Sequence, residues 1–409
     1  MKAIVSLREL NGMLKAATAF ADKGGIVEGR IAFMVHDGKF EVLALSCGGP
    51  MAELRQWVDA QSGYNDDFEC VHPVEEGACT VKIKDLPRLK NTPDDIRVLF
   101  DAQNDTLVIT VGDYAFHMNA SNTVYDGYVC AKPEGDSEIT LQFSPQDRAA
   151  FAFVAPAMAQ SEFLRDEFMG IHIQDGRAVA TDGHRLHICP MTTPDASLIG
   201  TLSAKLANFL AGRPQFPGTL TEYRKSQEIK VPKGGGKFKT ETETTAAWHV
   251  YEHEGGVNIR LVSRPVKGVF PDFNRALPSY RSDEVREIDT EQWTSTIKQL
   301  SAGWKNSNVL ISNRPADRAV DKCIELRCAR IPGEKEKEKV EPPRTKTIPM
   351  GHIPNLPVCL NSKYVLDTLK NCKNSVATFC CIDNNSPVWI GERSPMEFGR
   401  GAIIMPMDF

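Results

Sequence analysis

The sequence predicts an α+β chain of three similar domains, residues 1–136, 137–280 and 281–409, each with two helices packed on antiparallel sheets. Two observations carry this. One order of elements (long helix, strands, short helix, strands) comes round three times, with long helices opening near residues 7, 144 and 290. Between the helices, apolar residues recur at period two, as in strands with one face on a core. The composition, 42% hydrophobic and 25% charged over 409 residues, is that of a globular chain with ample core material.

In the first round, Leu10, Met13, Leu14, Ala17 and Phe20 form a helical stripe within Val5 to Ala21, and Ser6 with Glu9 matches a capping box. The segment 30–46 alternates about Asp37-Gly38, a hairpin turn. A second, short helix is expected from Lys82 to Asn91, then strands over 97–120. The second round opens at Ser144 to Gln160 with a serine cap, a proline in the first turn and an apolar stripe. Strands with turns at Asp175-Gly176 and Asp182-Gly183 follow, then a short helix ending at Gly212 and further strands to Pro278. The third round opens at Asp289, carries its short helix at Asn361 to Cys372, and closes on strands. Two stretches interrupt the pattern. Residues 231–245, glycine- and lysine-rich and then alternating threonine with glutamate, and the charged run 333–346 both read as solvated loops.

With 48 Lys+Arg against 53 Asp+Glu, the net charge of −5 argues against a uniformly basic surface, but leaves room for a basic stripe inside an acidic average. No segment approaches ~18 uninterrupted apolar residues and the N-terminus lacks a signal-peptide run, so a cytoplasmic protein with no membrane partner is expected. Eleven cysteines, an odd number with no C-x-x-C pair, read as reduced and mostly buried thiols.

His249 and His253 stand four apart, as ligands on a helix would, but their segment alternates like a strand and lacks the H-E-x-x-H glutamate. Surface histidines are the expectation there. His184, His187 and Cys189 cluster on another strand, where period two prevents convergence. No metal site and no cofactor are expected. The segment Asp182-Gly183-His184-Arg185 offers an acid/base pair and an anion-binding arginine to a hydrolase or nuclease. It also reads as a tight turn with exposed polar flanks. No nucleophile motif, phosphate loop or carboxylate cluster supports the enzyme, so no catalytic residue is expected. Met405 and Met407 flank Pro406 near the chain's end, which suits either an edge strand or a surface that accepts apolar peptides.

Four segments, ATDGHRL at 180–186, FPDFNRALP at 270–278, NSKYVLDTLKNC at 361–372 and IIMPM at 403–407, together resemble the bacterial DNA polymerase III beta subunit, the beta sliding clamp. They stand in that family's order and near its spacing, and the threefold pattern extends the resemblance over essentially the whole chain. The resemblance implies three DNA-clamp domains per subunit and a head-to-tail homodimeric ring around duplex DNA, bound without regard to sequence. It implies a processivity factor for DNA replication rather than an enzyme. Its partners would be the DNA polymerase III alpha subunit, the clamp loader and other proteins carrying clamp-binding motifs. A clamp-like repair adaptor is the neighbouring alternative.

The same resemblance maps a partner-peptide groove, for motifs of the Gln-Leu-x-Leu-Phe kind, onto Phe168, Thr181, Gly183, His184, Arg185, Leu186, Pro271, Arg275, Ile403, Met405, Pro406 and Met407, with Arg and His at its rim. It places Arg8, Lys15, Lys82, Lys84, Arg88, Lys90, Lys205, Lys298, Lys363 and Lys370 on DNA-facing helices. Phe116 and Met118 would meet Leu300 and Trp304 across the dimer interface, the alternative being internal core residues. Departures from the family are Ala276, where a larger aliphatic residue is usual, and Asp408, where a basic one is common. Asp166 and Glu167 stand near where some relatives touch DNA through aromatic residues, and the 333–346 run looks like an insertion.

Overall fold

The computed structural model describes the chain except residues 22–28, 47–50, 60–62, 65–69, 73, 90–96, 104, 122–132, 161–164, 214–216, 233–237, 278–284, 305, 314–322, 332–340, 350–352, 354–355, 394–398 and 408–409. Lys90 and Asp408 therefore lie outside the described residues, as do most of 333–346 and the centre of 231–245. The described residues form five α-helices, α1 (Leu7–Phe20), α2 (Pro145–Val154), α3 (Ala204–Ala211), α4 (Thr290–Leu300) and α5 (Ser362–Asn371). They fall into two compact units, Met1–Pro145 with Leu198–Val266 and Gln146–Ser197 with Lys267–Phe409.

The first unit is built on one twelve-stranded antiparallel sheet. Its middle is a ladder between Ala52–Asp59 and Asn258–Ser263, with Trp57 opposite Asn258 and Ala52 opposite Ser263. That ladder carries strands of the first third of the chain directly into strands of the middle third. Helix α1 buries Leu7, Leu10, Met13, Leu14, Ala17 and Phe20 and leaves Arg8, Gly12, Lys15 and Ala19 outside, the amphipathic split its spacing dictates. Gln56 ties it to the sheet by donating Nε2 to the Met13 carbonyl at 3.0 Å. Phe33, Phe40 and Phe100 pack as a triangle below, with ring centroids 4.7 to 6.1 Å apart.

In the second unit, Gly170–Gln174, Arg177–Thr181, Arg185–Pro190, Gly401–Ile404, Val388–Gly391, Val376–Cys380 and Val285–Asp289 follow one another in one antiparallel sheet. A separate four-stranded sheet runs in the order Arg344–Pro349, Cys323–Arg330, Ser307–Asn313, Val358–Asn361. Helices α4 and α5 share a core with both, around Trp293 and Phe379. Each has a side-chain cap: Asp289 accepts from the Gln292 N–H, and Asn361 from those of Lys363 and Tyr364. The two units cut through the expected middle third, because main-chain ladders fuse its halves to different neighbours.

Several sequence expectations are corrected. The helix expected from Lys82 to Asn91 is a single 3-10 turn at Ile83–Asp85, and Lys82 ends a strand. Pro87 explains this: it disfavours helical backbone at the residue before it, and Leu86 is extended at φ −68°, ψ 134°. The described parts of 231–245 are strand, within Gly218–Pro232 and Phe238–His253, and Arg344 to Lys346 begin another. Ser6 stands at the N-cap of α1 without a side-chain capping bond. His249 and His253 are buried rather than surface residues. His249 Nε2 meets the buried Glu222 carboxylate at 3.1 Å, and His253 bonds the Pro217 carbonyl. Among the described residues no cluster of metal-ligating side chains occurs, and Cys79, Cys189, Cys328, Cys359, Cys380 and Cys381 are buried.

The hairpin turns at Asp37-Gly38 and Asp175-Gly176 form as expected, all four residues having positive φ. Their glycines differ in surroundings. A Cβ on Gly176 would sit 2.0 Å from the Pro194 carbonyl oxygen, whereas one on Gly38 meets nothing within 4 Å. Gly38→Ala should therefore cost only about 1 kcal/mol, the left-handed backbone penalty, and Gly176→Ala about 3 kcal/mol or more in urea denaturation.

Candidate functional site

A cleft of about 300 Å³ lies within the second unit. Its rim on one side is the three-residue connection, Asp182 to His184, between strands Arg177–Thr181 and Arg185–Pro190. Asp182 shapes that connection, its Oδ1 accepting the N–H groups of His184 and Arg185 at 3.1 and 3.0 Å. The Thr181 hydroxyl donates to the Arg185 carbonyl at 2.6 Å and accepts from the Gly183 N–H. Gly183 has φ +86°, the left-handed region that makes glycine the natural occupant. The opposite rim is the 3-10 turn Phe273–Ala276, capped by Asp272 and anchored by the buried Phe273.

The cleft floor comes from pairing of distant segments. Arg185–Ile188 runs antiparallel to Gly401–Ile404, setting Leu186 opposite Ile403, and the Met405 N–H extends the ladder to the His184 carbonyl at 2.9 Å. Beneath lies an apolar cluster including Leu186, Ile403, Phe270, Phe273 and Trp389. The resulting surface has an apolar base, exposed Met405, and the exposed side chains of His184 and Arg275 at its edge. Arg275 is held only loosely, 3.5 Å from Asp272.

Of the groove residues taken from the resemblance, Thr181, Gly183, His184, Arg185, Leu186, Arg275, Ile403 and Met405 line this cleft. Phe168, Pro271, Pro406 and Met407 do not. Phe168 stands beside Gly183, whose Cβ would lie 3.7 Å from its ring, and the Met407 N–H bonds the Cys359 carbonyl. Ala276, noted as a departure, lines the cleft, and so do Leu277 and Pro387. Pro387 was invisible to local reading, since only the ladder of Val388 with Ile404 brings it opposite Met405.

Arg185 is not a rim charge. Its side chain is 4% exposed. Nε donates to Asp182 Oδ2 at 3.0 Å, one terminal nitrogen to Asp367 Oδ2 at 2.8 Å, and the other to the Pro156 carbonyl. One face lies 4.2 Å from the centre of the Tyr364 ring. Asp182 is correspondingly occupied by backbone N–H groups and Arg185, which leaves it poorly placed as a general base.

The first unit carries a second feature, a concavity of about 830 Å³ between α1 and the segment 83–89. It gathers Arg8, Lys15, Lys84 and Arg88, and none of its lining residues is acidic. An adjoining hollow of about 400 Å³ holds Lys82, Lys84, Asp85 and Arg30, the last missed by sequence reading because it lies on a strand. Lys205 reaches the C-terminal end of α1, donating to the Phe20 carbonyl at 2.8 Å, where a cation complements the helix dipole. In the second unit Lys298 on α4 and Lys363 and Lys370 on α5 are exposed.

Strand Tyr114–Ser121 pairs fully with Thr106–Val111 but meets Gly77–Lys82 only at Ala120 and Ser121. Among the described residues, Tyr114 to Asn119 thus have one open edge, carrying a half-buried Phe116 and a buried Met118. Leu300 belongs to the core of its own unit. Trp304, half-buried, donates its indole N–H to Glu341 at 2.8 Å beneath the Arg344 guanidinium.

No family model matches the chain and no curated protein matches it. Solved structures do. The chain aligns over its whole length with the DNA polymerase III beta subunit of Pseudomonas aeruginosa, all of which is covered, at 18% identity and a TM-score of 0.69. The fold is that of the beta sliding clamp. The beta subunit from Thermotoga maritima, 99% covered by the full chain, is similar at 18% identity and a TM-score of 0.70. The Helicobacter pylori beta clamp, with both chains fully covered, gives 18% and 0.65. These likenesses run the full length of the chain and do not stop at the boundary of either unit.

Two buried groups make the units acid-sensitive in different windows. Burial pushes the His187 imidazole down to about 4, against the opposing pull of its bond to the Phe153 carbonyl. The unfolded chain takes up that proton near 6.5, so the second unit loses stability as pH falls from about 6.5 through 4, by about 3 kcal/mol in all. For Glu222, burial acts upward but the hydrogen bond and charge of His249, with the Gly200 N–H and Arg224, bring it to about 2. Its contribution is lost only between about 4.5 and 2. Urea denaturation at pH 8, 6 and 5 should show wild-type weakening that His187→Asn lacks.

Proposed function

We propose that this protein is a DNA sliding clamp, a processivity factor that encircles duplex DNA as a head-to-tail homodimer and tethers a DNA polymerase III alpha subunit through the 300 Å³ cleft. Each subunit contributes three similar domains, 1–136, 137–280 and 281–409. The clamp loader and other motif-bearing proteins use the same cleft, and the protein catalyses nothing itself. A ring holds DNA by topology, so it needs weak, sequence-independent phosphate contacts rather than base readout. The observation that carries this reading is the acid-free concavity in which Arg8 and Lys15 of α1 face Lys84 and Arg88, in a clamp-fold chain whose net charge is −5. Positive charge is concentrated on a helix face, where a ring would meet DNA, and acid elsewhere.

The open edge of Tyr114 to Asn119 supports a dimer made by strand-edge pairing, with Phe116 and Met118 on one side of the interface. On the other side Trp304 and the edge strand Arg344–Pro349 are better candidates than Leu300, which is a core residue. The cleft suits an extended peptide with two large apolar side chains, anchored on Leu186, Ile403 and Met405 and flanked by the charges of His184 and Arg275. A hydrolase built on Asp182 and His184 has no such support, since the Asp182 oxygens already accept three hydrogen bonds.

A chain truncated after Ile404 keeps the cleft floor but loses Met405 and its bond to His184. Fluorescence anisotropy with a labelled Gln-Leu-Ser-Leu-Phe peptide should show affinity reduced at least about tenfold, a loss of ~1.4 kcal/mol or more, while light scattering still reports a dimer. Unchanged peptide affinity would contradict the proposed cleft.

A further inference from the structure

The hydrogen bonds around Arg185 tie the cleft loop to a helix that does not line the cleft. Asp367 and Tyr364 stand three residues apart on α5, hence on one face of it. Asp367 accepts from Arg185 at 2.8 Å, and the Tyr364 ring lies 4.2 Å beneath the guanidinium. Burial and the nearby Asp182 carboxylate push the Tyr364 hydroxyl up, so the same helix also faces the acid that orders the loop. The contacts form one circuit: α5 holds Arg185 through Asp367 and the Tyr364 ring, Arg185 holds Asp182, and Asp182 holds the His184 and Arg185 N–H groups.

We infer that Asp367 is a positioning residue for the cleft, fixing the loop 182–185 through Arg185 and Asp182, with the Tyr364 ring packed beneath the same guanidinium. Neither residue lines the cleft. Arg185 is nearly inaccessible and its three donor groups are already matched, so its part is to transmit the position of α5 to the rim. Charged, multiply bonded pairs of this kind are costly to half-break, since removal of one carboxylate leaves a buried guanidinium short of a partner. The loop carries His184 in the rim and, through its carbonyl, the N–H of Met405. Loosening of the circuit therefore disturbs both walls of the cleft at once.

This inference rests on the cleft being the peptide site, and the test separates the two. Asp367→Asn removes the charge at constant shape, Asp367→Glu restores it, and Arg275→Ala removes a rim contact without touching the circuit. Hydrogen exchange of the His184 and Arg185 amides needs no ligand: Asp367→Asn should speed it at least tenfold, Asp367→Glu should return it towards wild type, and Arg275→Ala should leave it unchanged. With the labelled Gln-Leu-Ser-Leu-Phe peptide, Asp367→Asn should bind at least fivefold more weakly, mostly through faster dissociation, with Asp367→Glu rescuing. Tyr364→Phe, which keeps the ring beneath Arg185, should lose less than Tyr364→Leu. Unchanged exchange in Asp367→Asn overturns the inference, as does weakened binding that Asp367→Glu fails to rescue. If wild type does not bind the peptide at all, the peptide reading falls, and the exchange result still decides whether α5 positions the loop.

Discussion

The second unit depends on one antiparallel ladder, Arg185–Ile188 against Gly401–Ile404, which joins segments more than two hundred residues apart in the chain. It aligns Leu186 with Ile403 as the cleft floor, and its extension by the Met405 N–H closes one wall. It also makes the helix-bearing core of the C-terminal third continuous with the sheet of residues 170–190. Strand pairing of this kind fixes register to the residue, because a slip by one would turn Leu186 and Ile403 to the opposite face. The floor is therefore as precisely placed as the sheet itself, and the adjustable parts are the loops on its rim.

The corresponding ladder in the first unit, Ala52–Asp59 with Asn258–Ser263, does for the other half of the middle third what this one does for its partner. Both are main-chain junctions between successive rounds of the sequence pattern. The exposed face of α1 carries Arg8 and Lys15 without a neighbouring acid in the concavity, so a chain of net charge −5 still presents a local basic surface.

Much of this was legible locally. The five helices lie where apolar residues recur at helical spacing, and two Asp-Gly pairs make the turns their backbone freedom favours. The misreadings share a cause, competition between signals. The lysine pattern of 82–91 suggested a helix, but Pro87 forbids one at Leu86. Around 231–245 the glycines and charges suggested a loop, although Thr240 to Thr245 alternate as strands do and pair across to Lys225. Arg185 could not be read from sequence as an internal clamp, because Asp367 and the Pro156 carbonyl reach it only through the fold. The burial of His249 was hidden likewise, since its partner Glu222 sits on a neighbouring strand.

The proposed clamp would enclose duplex DNA and retain it by topology, with the basic surface of α1 supplying only weak contacts. Retention on DNA of different topology tests that most directly. The protein should be loaded by a clamp loader onto nicked circular plasmid, isolated by gel filtration at about 0.5 M salt, and the plasmid then linearised. The account predicts that the protein stays with the circle and is lost within minutes of linearisation. Equal retention on circular and linear DNA, or loss from both at that salt, would contradict it.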